Sequence, residues 1–266
     1  MTDFPQYEIL ALRYAVNERQ VATHNFIDGD DHDRLMPLDY YMWVIRSGDR
    51  AFLVDTGFDA EAAAQRGRRL LATPQQLLGK IGLAPSDISD VIITHLHYDH
   101  AGNRDLFGGA RFHIQDREMA YATGRCMCHA SLRSPFDGRD VAAMVGRVFS
   151  GHVCFHDGSA TLAPGVELHR VGGHTDGLQV VRVWTRRGWV VLASDASHFY
   201  ANMNEGRSFP VVYNLGDMYE GHSTCFRLAD APQNVIPGHD PLVIKYYPAL
   251  RPELEGMIIR LDADPV

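Results

Sequence analysis

Val91-Ile92-Ile93-Thr94-His95-Leu96-His97-Tyr98-Asp99-His100 is the stretch on which the reading of this chain turns. The apolar run Val91 to Ile93 has the length and β-branched character of a short buried strand, so the four ligand-type side chains after it sit at a strand's end. In extended backbone, residues two apart point to the same side. His95 and His97 can therefore grip one ion, while Asp99 and His100, one turn further on, face a second. Burying three imidazoles and a carboxylate this close together without a cation would be costly, and surface histidines in a solvated loop would have no reason for this spacing. The arrangement suits two metals, and one motif cannot close two coordination shells.

Further candidates lie downstream, each where a strand ends. His174 falls in Val171-Gly172-Gly173-His174, between the strand-like runs 166–171 and 179–184. Asp195 follows the apolar run Trp189 to Ala193, and His239 follows Val235-Ile236-Pro237-Gly238. Strand ends are where layered α/β folds place their site residues. Taken singly, His174 or His239 reads as an ordinary loop histidine; the joint pattern carries the weight.

In this order, the HxHxDH run, Gly173-His174, the strand-end Asp195 and Gly238-His239 resemble the metallo-β-lactamase-fold hydrolases. The spacing most resembles the branch that contains N-acyl homoserine lactonases. The likeness runs from Phe52-Leu53-Val54-Asp55-Thr56-Gly57 through Pro237-Gly238-His239-Asp240. It implies an α/β fold, a four-layer αββα sandwich with the metal site at one edge of the two sheets. It also implies that His95, His97 and His174 hold one metal, that Asp99, His100 and His239 hold the other, and that Asp195 bridges the pair together with a water or hydroxide. Two divalent ions against Asp99, Asp195 and one hydroxide leave residual positive charge, which suits an anionic tetrahedral intermediate. The implied reaction is opening of a lactone ring by attack of the metal-bridging hydroxide, with Asp99 helping to orient it and an N-acyl homoserine lactone as the expected substrate. Zinc (Zn2+) is the expected metal, although iron, cobalt and manganese suit the same ligands.

One position departs from the lactonase pattern. Many homoserine lactonases have a tyrosine three residues after the bridging aspartate, and here Asp195-Ala196-Ser197-His198-Phe199-Tyr200 places His198 there. An imidazole can donate one hydrogen bond and an imidazolium can act as an acid near neutral pH, which a phenol with a pKa of about 10 does poorly. His198, or Tyr200 swinging in, is the candidate donor to the leaving ring oxygen. Other readings are a lactonase of a small catabolic, carboxylated lactone and a glyoxalase II-like thioesterase, for which little chain remains after His239. Further off stand a single-iron sulfur dioxygenase, a β-lactamase, which typically has Cys or Ser at the Asp195 position, and a metal protein without turnover.

Composition bounds the rest. The 266 residues, 45% hydrophobic and 22% charged, carry no linker or low-complexity run and read as one domain over 1–266. With a net charge of −8 and 25 Lys and Arg that form no long basic tract, nucleic acid is disfavoured as a substrate. No apolar run approaches the roughly 20 residues of a membrane span, and Met1 to Tyr7 does not read as a signal segment, so a cytoplasmic location is expected. Cys126, Cys128, Cys154 and Cys225 are too few for a disulfide framework. Cys126-Met127-Cys128-His129 has no second half with zinc spacing and reads as thiols.

Strands are expected at 7–14, 40–45, 51–54, 91–94, 111–115, 166–171, 179–184, 189–193 and 234–236. Helices are expected at 60–71 capped by Asp59, from Thr73 to a stop at Gly82, and at 216–229. The stretch 116–163 reads as an insertion. In it Val141, Met144, Val145, Val148 and Phe149 make one helical apolar face, for core packing, a partial cap over the site or a homodimer contact. Arg117, Arg125, Arg133, Arg139 and Arg147 read as solvated, unless one turns inward to meet a substrate carboxylate. The acidic loop from Thr23 to Asp33 lacks the spacing of a calcium loop, with Phe26 expected near the pocket.

Overall fold

The computed structural model describes residues 4–29 and 34–266. Met1 to Asp3, and Asp30, Asp31 and Asp33 of the acidic loop, lie outside the described residues. The first half runs β1 (Glu8–Asn17), β2 (Leu38–Ser47), β3 (Arg50–Val54), α1 (Ala60–Arg66), β4 (Arg69–Leu70), α2 (Pro74–Lys80), β5 (Asp90–Ile92), α3 (Tyr98–Ala101) and β6 (Arg111–Gln115). Then come α4 (Asp116–Thr123), α5 (Ala130–Arg133), α6 (Gly138–Phe149), β7 (Val153–His156), β8 (Ser159–Ala163), β9 (Val166–Arg170), β10 (Gln179–Thr185) and β11 (Gly188–Ser194). The chain closes with α7 (Tyr200–Glu205), α8 (Leu215–Leu228), β12 (Val235–Pro237), α9 (Leu242–Tyr246) and β13 (Ile258–Arg260).

Among the described residues these strands make two sheets. One has the order β13-β1-β2-β3-β5-β6-β7, with β4 on the flank of β1, and the other the order β12-β11-β10-β9-β8. The sequence explains why they stack. Along β1, Leu10, Leu12 and Tyr14 join one apolar cluster while Ile9 and Ala11 join another; along β2, Tyr40, Met42 and Val44 alternate with Tyr41, Trp43 and Ile45 in the same way. Period-two alternation with both faces apolar means a sheet covered on both sides. The inner cluster receives Val166, Leu168, Val181, Val183, Val190 and Leu192 from the second sheet, whose outer face sends Val180, Val191 and Ala193 to a third cluster with Cys225 of α8. The result is the expected four-layer sandwich.

Two details differ from expectation. The helix after Asp59 stops at Arg66, because Gly67 takes φ 65° and bonds back to Ala63 and Ala64, after which Arg69 and Leu70 pair with Val16 and Ala15 of β1. The stretch 116–163 is also more integral than an insertion: its last part supplies β7 and β8, the outermost strands of the two sheets. On α6, Met144 is fully buried and Val141, Val145 and Val148 pack against the core, but Phe149 is 89% exposed. Among the described residues no helix is long and apolar enough to cross a membrane.

Candidate metal centre

The predicted ligands leave the C-terminal ends of β5, β9, β11 and β12, so both sheets contribute and all meet along one edge. Buried polar contacts hold those ends in register. Thr94 gives its N–H and its hydroxyl to the two carboxylate oxygens of Asp55, both at 2.8 Å, and lies 2.9 Å from the Ser194 hydroxyl across the sheet boundary. The side-chain amide of Gln179 donates to the carbonyls of Ile93 and His113. Asp55 and Ser194 are the non-glycine residues with positive φ among those described, at 60° and 46°, a backbone strain typical of functional sites. Gly238 precedes His239 because a Cβ there would sit 2.7 Å from Asp195 Oδ1.

Four overlapping groups of ligand atoms, each within 4.8 Å, form here: His95, His97 and His174; Asp99, His100 and His239; His95, His100 and Asp195; and His174, Asp195 and His198. Asp195 lies between the first two. Its Oδ2 is 3.3 Å from His174 Nε2 and 3.8 Å from His95 Nε2, while its Oδ1 is 3.4 Å from His100 Nε2 and 3.1 Å from His239 Nε2. Asp99 Oδ2 approaches His100 and His239 Nε2 at 3.6 and 3.7 Å. All seven predicted ligands are therefore brought together, with Asp195 between the two groups.

The rings are oriented from behind. His174 Nδ1 donates to the Val211 carbonyl at 2.6 Å and His239 Nδ1 to the Asp39 carbonyl at 2.8 Å; His100 Nδ1 lies 2.7 Å from Asp55 Oδ2 and His95 Nδ1 3.1 Å from the Thr94 hydroxyl. Each contact turns Nε2 inward, the arrangement that fixes the tautomer of a ligating histidine. Burial holds His95, His97 and His174 below the ordinary histidine range, His174 at about 4, so these rings present lone pairs at neutral pH. Burial opposes the charge on Asp195, yet His239, His100 and His198 hold it ionised.

Donor chemistry fits a pair of cations. Among the described residues His95 Nε2, His100 Nε2 and Asp195 Oδ1 are buried without a hydrogen-bond partner, a condition that divalent ions relieve. Nitrogen-rich ligands with two carboxylates suit zinc, iron, cobalt or manganese alike.

His198 and Tyr200 part company. His198 stacks on Phe209 with ring centroids 3.5 Å apart and places Nε2 3.0 Å from Asp195 Oδ2. Burial lowers its pKa, so near pH 7 it is a neutral hydrogen-bonding ring and not an imidazolium. Tyr200 does not swing in: it lines a separate pocket with Tyr246 and Tyr247, held there by its own place at the start of α7 between two apolar clusters. The cleft over the ligands, about 130 Å3, is instead lined by Tyr40, Tyr98 and Arg68 together with Gln20, His24, Leu38, Pro135 and Val211. Phe26 is buried beneath Arg207 and lies off this lining. None of the five arginines of 116–163 lines the cleft: Arg139, for one, pairs with Asp137 and Glu61, and Arg147 donates to the Arg104 carbonyl.

Sequence reasoning missed Glu118. Fully buried at the start of α4, it accepts from Leu96 N–H at 2.8 Å, the Thr175 hydroxyl at 2.6 Å and Gly177 N–H at 3.1 Å, so one carboxylate ties the first ligand loop to the His174 loop. Gly177 makes room for it, since a Cβ there would lie 2.1 Å from Glu118 N. A Glu in the first turn of a helix looks like a dipole-matching surface residue, and no spacing in the sequence distinguishes it.

With this geometry in place, residues 35–248 match the metallo-beta-lactamase superfamily, and the chain belongs to that superfamily. It is 31% identical over 186 residues to N-acyl homoserine lactonase AiiB of Agrobacterium fabrum, covering 64% of this chain and 67% of that one. With the N-acyl homoserine lactonase of Bacillus thuringiensis it shares 24% over 187 residues, 65% of this chain and 69% of the other. Among solved structures, a quorum-quenching N-acyl homoserine lactone lactonase superposes with a TM-score of 0.71 at 20% identity over 90% of this chain and 94% of its own. A probable metal-dependent hydrolase from Staphylococcus aureus superposes with a TM-score of 0.73 at 14% identity over 99% and 96%.

Proposed function

We propose that this chain is a dinuclear metal-dependent lactonase, with His95, His97 and His174 around one ion, Asp99, His100 and His239 around the other, and Asp195 between them. The observation that carries this reading is the placement of Asp195 within 3.8 Å of ligand nitrogens from both groups. Two divalent ions, zinc by preference, would lower the pKa of a bound water and polarise an ester carbonyl. In the reaction the oxygen of water bonds to the carbonyl carbon and the ring C–O bond breaks. The ring oxygen leaves as an alcohol carrying one proton, and at neutral pH the new carboxyl releases another.

The chain's own groups shape that step. His198 Nε2 donates to Asp195 Oδ2, which fixes the carboxylate, and Phe209 backs the His198 ring, which lines the cleft. Tyr40 lies edge-on to the His239 ring at 5.1 Å and is held protonated by burial. Its neighbour Tyr98 approaches it at 3.4 Å between the two hydroxyls, which leaves Tyr40 the phenol available to a substrate oxygen in the place first expected of Tyr200. We expect His198→Ala to lower kcat about 10- to 100-fold with two ions per chain retained, measured by steady-state kinetics and metal analysis. Wild-type turnover would remove His198 from the mechanism.

The relatives named as N-acyl homoserine lactonases make those lactones the first substrates to try. The direct experiment is proton release, followed with a pH indicator, from metal-loaded protein offered N-acyl homoserine lactones of several chain lengths, simple γ-lactones and carboxylated lactones. Turnover in any series supports ring opening; thioester hydrolysis with every lactone untouched would replace this reading by a thioesterase.

A further inference from the structure

We infer that Arg68 makes this cleft selective for a lactone that carries a carboxylate. The inference rests on the ring-opening reading above and narrows its substrate class. Arg68 follows the left-handed Gly67 that ends α1, and its backbone N–H bonds to Ala63 O at 2.8 Å, so the residue is fixed where the helix turns away from the cleft. Its side chain is half-buried and lines the cleft together with Asp99, His174 and Asp195. Among the described residues only Nε is engaged, donating to the Tyr98 hydroxyl at 3.2 Å. Among the described residues no carboxylate lies within ion-pair distance of the guanidinium, whereas its neighbours are spoken for: Arg69 pairs with Glu18, and Arg66 donates to the Ser134 and Phe136 carbonyls.

A guanidinium held at Nε by a phenol keeps both Nη groups free on one edge, and that edge matches the two oxygens of a carboxylate. The rest of the lining agrees with a short, charged substrate. The cleft encloses about 130 Å3, and its aliphatic lining is limited to Leu38, Pro135 and Val211. A long acyl chain finds little apolar wall there, since each buried methylene needs apolar contact to contribute its ~0.8 kcal/mol. In a chain of net charge −8, Arg68 is the one Lys or Arg among the described residues that line the cleft, and it would add to the pull of bound metal ions on an anion.

The test compares the γ-lactone of 2-hydroxyglutarate, which bears a free carboxylate, with its methyl ester, using metal-loaded wild type and Arg68→Met. Wild type is expected to open the carboxylated lactone with the lower KM. Arg68→Met should raise that KM roughly 30-fold relative to the KM for the ester, as loss of one charge-assisted pair predicts, with any effect passed through Tyr98 to Tyr40 falling alike on acid and ester and the metal content unchanged. Arg68→Lys should recover only part of the loss, because a point charge does not reproduce the fork. Calorimetry with the ring-opened products gives a readout independent of turnover: 2-hydroxyglutarate should bind wild type more tightly than Arg68→Met, while 4-hydroxybutyrate, which lacks the second carboxylate, should bind both alike. Equal kcat/KM for acid and ester in wild type, or an equal loss for both in Arg68→Met, would overturn the inference. If no lactone is opened, the ring-opening reading fails; calorimetry then still decides whether Arg68 selects a carboxylate.

Discussion

Asp195→Ala should leave a protein that holds fewer than two ions per chain and has lost at least on the order of 10³ in kcat. Both losses follow from one geometry. The two oxygens of Asp195 face His95 and His174 on one side and His100 and His239 on the other, so removing the carboxylate takes an anionic ligand from both groups at once. It also leaves crowded imidazoles without the charge that offsets their repulsion. Asp195→Asn, which keeps the volume, separates the two effects: metal content should fall less, and turnover nearly as far. Metal analysis beside kcat on the same preparations reads both, and an alanine variant with two ions and wild-type turnover would end the bridging assignment.

Glu118→Ala should cost about 4 kcal/mol in unfolding free energy, seen as a lowered urea midpoint with an unchanged slope. The carboxylate satisfies three donors that are otherwise buried, and leaving such donors unpaired costs about 1–3 kcal/mol each before any rearrangement. The penalty should also depend on pH. Burial raises the Glu118 carboxyl from 4.5 to about 7 against the pull of its three donors. A group whose pKa is raised by folding contributes fully below its unfolded value, and that contribution is lost as pH rises through the folded one. The difference between wild type and variant should therefore be larger near pH 5 than near pH 8; a difference that grows with pH would contradict the burial account. Because Glu118 joins Leu96 to Thr175 and Gly177, metal affinity should weaken in the variant as well.

How far the sequence carried the reading depends on whether a feature is local. The seven clustered His and Asp side chains were legible because metal binding would impose residue type and spacing together; the four layers came from the family resemblance, since strand periodicity alone gives only mixed α and β. Features set by what the backbone does between elements were hidden. Tyr200 sits two residues beyond His198, but the start of α7 turns it into another pocket, and nothing in Phe199-Tyr200 signals the direction of that turn. The arginines of 116–163 stand out by number, whereas the guanidinium that reaches the cleft is that of Arg68, which falls in the last turn of the helix expected at 60–71. Gly67 was the available signal: a glycine four residues short of the expected helix end is a stop, and the stop swings Arg68 inward. Glu118 had no local signature, since its three partners lie on two loops far apart in the chain.

The residues around the cleft differ in how they are held. The ligand cluster is bound into both sheets through Asp55, Thr94, Gln179, Ser194 and the backbone of Asp39 and Val211. Gln20, Arg68 and Pro135, which also line the cleft, come from three separate connections between elements. Because these residues border one cavity, the effects of substitutions among them should couple rather than add. Substrate scope in this chain should therefore respond to combinations of these residues more than to any one of them, while the ligand cluster beneath is held by a separate set of contacts.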